Sequence, residues 1–300
     1  MSRNGLRGVI AASATPVRPD GAPDVSRLLP HLRHLLDGGC DAINLLGTTG
    51  EANSFGVPQR LSIMRAVKEA GLPMNRLMVG TGVCSLDETV ALTQAAAGLG
   101  FAGALVLPPF FYAGIEPAAL LAYVDALVAR IDAGAMALYL YHIPQNTGVP
   151  WPVEVVAELA RRHAGLLRGI KDSSGDLGYS RAVVAANREL AVFPSSEATL
   201  WEAGKDGFAG CISATTNLTA ADSQLAWTHQ GSAEGKLAVE RATALRSILA
   251  KQSLVASVKG ALAVLNDDEQ WACTCLPLLP LTAAQIASLA AELRSAGLAL

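Results

Sequence analysis

The chain has 300 residues, 51% hydrophobic and only 16% charged, enough apolar surface for a large core. A formal net charge of −3 and a pI near 6.0 leave no basic surplus for nucleic acid or an anionic membrane. No apolar run of about 18 residues suggests a membrane span, and the opening "MSRNGLRGVIAASATPV" lacks a core long enough for a signal peptide.

Eight short runs are almost continuously apolar, as expected of parallel strands covered on both faces. In chain order they are "GVIAASATPV" (8–17), "AINLLGT" (42–48), "RLMVGTGV" (76–83), "GALVLPPF" (103–110), "ALYLYHIP" (137–144), "LLRGIKDS" (166–173), "LAVFPSS" (190–196) and "GFAGCISA" (207–214). Helical patterns fill the gaps. In "DVSRLLPHLRHLLDGG", Leu28, Leu32, Leu35 and Leu36 form one stripe that Gly38-Gly39 ends. Strand–helix alternation repeated eight times predicts an α/β fold, a (β/α)8 TIM barrel. A doubly wound open sheet is the alternative, but it wants Gly-x-Gly-x-x-Gly after the first strand, where this chain has Ala14-Thr15-Pro16. From residue 231 the alternation gives way to three helical patterns. The expected organisation is a barrel over 1–230 and a helical extension over 231–300 packed on it, with no low-complexity linker between them.

Five cysteines (Cys40, Cys84, Cys211, Cys273 and Cys275) are odd in number and scattered, which points to reduced thiols and a cytoplasmic protein. Cys273-Thr274-Cys275 has no second ligand pair, and His31 and His34 have no visible carboxylate partner, so no metal is expected at either.

Barrel active sites gather at the C-terminal ends of the strands. There the chain puts "GTTGE" (Gly47 to Glu51), "YHIPQNTG" (Tyr141 to Gly148), Lys171 and "CISATTN" (Cys211 to Asn217). Lys171 closes an apolar strand in "GIKDSSGD", and a dry barrel mouth pushes an amine toward its neutral, nucleophilic form. Such an amine attacks a ketone to give a Schiff base. The plainer reading is a lysine that snorkels outward or pairs with Asp172. Alternation argues against that pairing, because Gly169, Lys171 and Ser173 share one face and Asp172 the other. The remaining lysines fall on helices or their ends, where solvated charge is the default, and Lys259 is the one rival because its helix is apolar. Thr48-Thr49-Gly50 can hold a carboxylate with hydroxyls and backbone N–H groups, or can be an ordinary turn. Tyr141 can move a proton beside an imine, or be a packed strand tyrosine. His142 alternates to the opposite face and reads as structural, and Glu51 as a support of its loop.

Taken in order, "GTTGE", "Y-x-x-P-x-x-T-G", "GIKDSSGD" and "GFAGCIS" resemble the dihydrodipicolinate synthase / N-acetylneuraminate lyase family over essentially the whole chain. The resemblance implies a metal-independent, cofactor-free class I aldolase or lyase that forms a lysine Schiff base with pyruvate or another 2-oxo acid, assembled as a homotetramer of two dimers. It implies Lys171 as the Schiff-base lysine and Tyr141 as the proton shuttle. It further implies that Thr48 and Thr49 hold the substrate carboxylate in the turn begun by Gly47, and that Ile212 lines the site with its carbonyl. Three positions depart from the synthase pattern. Asn146 replaces an arginine that clamps the aldehyde partner's carboxylate, and an amide is no substitute for a bidentate cation. In "PPFFYAG", Phe111 replaces a relay tyrosine, with Tyr112 adjacent. Ser195-Ser196 stands where a glycine commonly approaches the substrate. These changes point away from lysine biosynthesis, and "YHIPQNTG" with "KDSSGD" resembles more the family's aldolases of 4-hydroxy-2-oxoglutarate and its aldolases and dehydratases of 2-keto-3-deoxy sugar acids. The alternatives are a 4-hydroxy-tetrahydrodipicolinate synthase, condensing pyruvate with aspartate semialdehyde, and a non-catalytic barrel that binds 2-oxo acids.

Overall fold

A computed structural model describes residues 5–134 and 136–300. Its eight strands are β1 (Gly8–Ala12), β2 (Ala42–Leu45), β3 (Leu77–Gly80), β4 (Gly103–Val106), β5 (Ala137–His142), β6 (Leu167–Asp172), β7 (Ala191–Pro194) and β8 (Gly210–Ser213). All pair in parallel, in the order β7-β6-β5-β4-β3-β2-β1-β8. Between the two ends, the Ala209 N–H donates to the Val192 carbonyl at 2.9 Å and draws the sheet round into a (β/α)8 TIM barrel.

Between and after the strands run α1 (Val25–Asp37), α2 (Val57–Glu69), α3 (Leu86–Leu99), α4 (Pro117–Val128), α5 (Pro144–Thr147), α6 (Val153–Arg162), α7 (Leu177–Ala186), α8 (Ala203–Asp206) and α9 (Thr216–Thr228). Their starts are chemically marked. Asp24, Ser85 and Asp176 each accept a backbone N–H at the head of α1, α3 and α7. Side chains alternate along each strand. One set, including Ile10, Ala42, Met78, Leu105, Tyr139, Phe193 and Ile212, fills the barrel, and the other packs under the helices.

The strands are shorter than the apolar runs that announce them. In 8–17 the ladder stops at Ala12, yet Ala14 and Val17 remain buried. After the barrel come α10 (Ala233–Leu249), α11 (Leu254–Leu265) and α12 (Ala283–Ser295). Ala14 packs with Val258, Leu262 and Trp271 and so is buried by helices, while Val17 joins the main core and bridges Pro23. No single helix among the described residues is long and apolar enough to cross a membrane.

A buried polar pin joins β1, β8 and α1. Asn217 donates to the carbonyls of Ala12 (2.8 Å) and Ala214 (2.6 Å), and its Oδ1 accepts from the Ala14 N–H at 3.1 Å. The same Oδ1 lies 2.8 Å from His31 Nε2, and the imidazole edge meets Trp271 at 4.9 Å. Burial pulls the His31 pKa from 6.5 down to about 4, against the opposing hydrogen bond to Asn217. As pH falls from 6.5 toward 4 the unfolded chain takes up this proton and the folded one does not, so stability is lost over that window. Urea unfolding at pH 7 and pH 4.5 is expected to show a His31 contribution to that loss of about 2 kcal/mol. In His31→Gln the difference between the two pH values shrinks by that amount, whatever the variant's own stability.

Candidate active site

Two residues outside the glycine class adopt left-handed backbone at the end of β2, Leu46 (φ 52°) and Glu51 (φ 53°). They bracket Gly47-Thr48-Thr49-Gly50, a tight turn closed by Glu51 N–H to Thr48 O (3.0 Å) and Ala52 N–H to Gly47 O (3.2 Å). Such conformations cost energy and persist only where the surroundings enforce them. A side chain on Gly47 would meet Asn44 Nδ2 at 2.5 Å, so any larger residue there would have to displace the buried Asn44 amide. Among the described residues the N–H groups of Thr48, Thr49 and Gly50 donate to no backbone carbonyl, the arrangement that receives an anion. Thr49 is buried and Thr48 exposed.

Tyr141 and Lys171 are direct register partners across β5 and β6. Both are buried, and the Lys171 Nζ stands 4.4 Å from the centroid of the Tyr141 ring. One layer below, Gly169 lets β6 close against β7 and Tyr139, because a Cβ there would lie 2.1 Å from the Ala191 carbonyl oxygen and 3.0 Å from the Tyr139 ring. Asp172 faces away, accepting from the Ser174 N–H at 2.8 Å and the Ser180 hydroxyl at 2.6 Å. It is therefore committed elsewhere, and among the described residues no carboxylate forms an ion pair with Lys171. The polar tail of "GIKDSSGD" turns the chain and caps α7 through Asp176, leaving the amine inside the barrel.

The Tyr141 hydroxyl lies 3.1 Å from Thr48 Oγ1 and accepts a longer contact from Ser173 Oγ at 3.4 Å. Burial alone would raise the phenol's pKa. The Lys171 charge, with the hydrogen bonds shared with Ser173 and Thr48, outweighs burial and holds it below the usual tyrosine value of 10. An amine, a phenol poised to lose its proton and an anion-holding turn thus converge from β2, β5 and β6. They can form an imine, move a proton beside it and anchor a carboxylate.

His142 points outward as alternation requires, stacked on Tyr179 (centroids 4.0 Å apart) with Nδ1 accepting from the Trp151 N–H at 3.1 Å. Ile212 is buried in the barrel interior with Tyr141. Ser195 is half-buried at the end of β7, and Asn146 is exposed on α5. Phe111 and Tyr112 stand outside the single-chain site on the loop after β4, 78% and 73% exposed, their rings edge to face at 5.3 Å.

Two features escaped the sequence reading. Ser173 was placed on the lysine face, but its reach to Tyr141 was not foreseen. Arg60 of α2 is fully buried, donates to the Gly80 carbonyl at 2.7 Å and lines one pocket with Gly47, Thr48 and Tyr141. Burial lowers its pKa to about 10. A lone arginine in a helix pattern carries no signal of such a position.

Comparison with known proteins places the chain in a family and matches its fold. The model of the dihydrodipicolinate synthetase family matches residues 5–296. The chain belongs to this family. An uncharacterized DapA-like lyase of Chloroflexus aurantiacus is 35% identical over 291 residues, covering 95% of each chain. A 4-hydroxy-tetrahydrodipicolinate synthase of Kineococcus radiotolerans is 30% identical over 297 residues, 97% of this chain and 93% of that one. Among solved structures, the dihydrodipicolinate synthase of Acinetobacter baumannii complexed with pyruvate superposes with a TM-score of 0.88 at 27% identity, covering 98% of this chain and all of the other. The protein is a lyase of this family.

Proposed function

We propose that the chain is a pyruvate- or 2-oxo-acid-dependent class I aldolase in which Lys171 forms the Schiff base. The observation that carries this reading is the register pairing of Lys171 with Tyr141 inside the barrel, with Thr48 on the phenol. The amine adds to the C2 carbonyl of a 4-hydroxy-2-oxo acid whose carboxylate rests in the Gly47–Thr49 turn, and water leaves. Tyr141 takes the proton of the 4-hydroxyl. The C3–C4 bond breaks, its electrons pass into the imine to give an enamine, and an aldehyde departs. Protonation at C3 and addition of water return pyruvate and the free amine. The imine nitrogen is the electron sink, so the scheme calls for no metal or organic cofactor.

The second substrate follows from what the rim offers. Asn146 presents a neutral amide where a cation would clamp a second carboxylate, which supports 2-keto-3-deoxy sugar acids, whose tail is neutral, over aspartate semialdehyde and ahead of 4-hydroxy-2-oxoglutarate, which also carries a second carboxylate. Ile212 and Ser195 are further contacts in this reading. Condensation of pyruvate with aspartate semialdehyde is the second reading, suggested by the name of the Kineococcus relative. In our reading residues 1–230 form the catalytic barrel and 231–300 its extension, in a cytoplasmic homotetramer. The five unpaired cysteines and the exposed Phe111–Tyr112 pair support the location and the assembly.

Borohydride reduction in the presence of pyruvate, followed by peptide mass mapping, tests the reading. The expected result is one reduced adduct on the peptide containing Lys171. An adduct elsewhere, or none with any 2-oxo acid, overturns it and favours a barrel that binds without turnover.

A further inference from the structure

The C-terminal extension sends two cations into the barrel rim, and each ends on a fully buried carboxylate. Lys259 of α11 donates to Glu51 Oε1, and both side chains are 0% exposed. The other oxygen, Glu51 Oε2, accepts from the Cys275 N–H at 2.6 Å. Glu51 is the left-handed residue that closes the carboxylate-holding turn three positions after Thr48. On the far side of the same arc, Arg246 of α10 reaches Glu197 Oε2 at 3.3 Å, Ser213 Oγ at 3.1 Å and Thr215 Oγ1 at 3.2 Å. Glu197 also accepts from the hydroxyls of Thr215 and Thr219, the latter at 2.9 Å. It follows Ser195-Ser196, as Ser213 follows Ile212.

The barrel order makes these two clamps the ends of one arc, β7-β8-β1-β2, with the Asn217 pin between them. The opposite arc carries Tyr141 on β5 and Lys171 on β6. A buried ion pair whose two carboxylate oxygens are both held is a poor source of stability but a strict one of geometry. An apolar pair would bury the helix equally well, yet it would not hold Glu51 in a conformation that costs energy.

We infer that Lys259, through Glu51, is a positioning residue for the substrate carboxylate: the extension sets the Thr48–Thr49 turn at its working distance from Lys171. The inference rests on the proposed reaction for its kinetic consequence and on the structure alone for its local one. Lys259→Met would leave a bare buried carboxylate and is prone to unfold, so the informative variant is the double replacement Glu51→Gln with Lys259→Met, beside the conservative Lys259→Arg.

The double variant is expected to keep its circular dichroism spectrum. The pyruvate concentration for half-maximal borohydride trapping should rise roughly ten- to hundredfold while maximal trapping is retained, because the amine is intact and the turn displaced. Lys259→Arg should recover most of the shift. Amide hydrogen exchange should quicken in the peptide spanning 46–53 and stay unchanged in that spanning 139–143. A folded double variant with wild-type half-saturation, or with unchanged exchange over 46–53, overturns the inference. Failure of the wild-type protein to trap any oxo acid sinks the proposed reaction instead, and the exchange measurement still decides the positioning role.

Discussion

Lys171→Ala is expected to lose turnover by a factor on the order of 10⁴ or more, and with it every borohydride-trappable adduct. The amine supplies both the bond to substrate and the electron sink, so no other group on the rim can stand in for it. Lys259 is the other buried lysine, and its ammonium is committed to Glu51. A folding defect is not expected to account for the loss. Lys171 has no carboxylate partner among the described residues, and its contact with the Tyr141 ring is a cation–π interaction worth about 1–2 kcal/mol. Against that gain stands the cost of burying an amine away from water. Lys171→Met keeps the length of the side chain and removes that cost, so its melting temperature should equal or exceed that of the wild type while its activity is absent. Thermal melts with steady-state assays on both variants check this. Retained turnover in either would show that the chemistry lies elsewhere.

That pairing of stability and inactivity was half legible in the sequence. Alternation along Gly169, Lys171 and Ser173 put the amine on one face and Asp172 on the other, and the structure has them so, with Asp172 bound to Ser174 and Ser180. The eight apolar runs marked eight strands because parallel strands covered on both faces need little else. Periodicity could not mark where the ladders stop. Ala14, beyond β1, is buried under α11 and the turn carrying Trp271, and burial by a helix looks the same in sequence as burial in a sheet.

Long-range polar partners were illegible for a different reason. Lys259 lies in a helix whose neighbours Val258, Gly260, Ala261 and Leu262 are all buried, so its apolar setting hinted at a buried charge, contrary to the solvated default. Nothing local names an acid 208 positions away as its partner. The loop after β4 shows the converse limit. Motif matching set Phe111 at a relay position with Tyr112 beside it, and since the path of an exposed loop depends on what it packs against, the sequence does not say that in the single chain both rings face outward.

Tyr141→Phe is expected to lower kcat by about 10²–10⁴-fold, the usual worth of a positioned acid–base group, with a much smaller change in KM. The hydroxyl sits between Thr48 and Ser173, and the Lys171 charge together with these hydrogen bonds outweighs burial to hold its pKa below 10. A phenol so placed gives up its proton more readily at neutral pH than a free tyrosine does, which is what removal of a proton beside an imine demands. Phenylalanine preserves the ring, and with it the surface over which the Lys171 ammonium lies. The adduct with pyruvate should therefore still form and be trapped, more slowly, on Lys171. The structural loss is confined to two hydrogen bonds. Thr48 is exposed and Ser173 half-buried, so water can replace the phenol at both, and the cost is about 1 kcal/mol. Single-turnover trapping beside steady-state rates separates the two steps. Slow turnover with retained trapping assigns the proton transfer to Tyr141. Turnover at the wild-type rate removes the phenol from the mechanism and leaves Thr48 and Ser173 to be tested in its place.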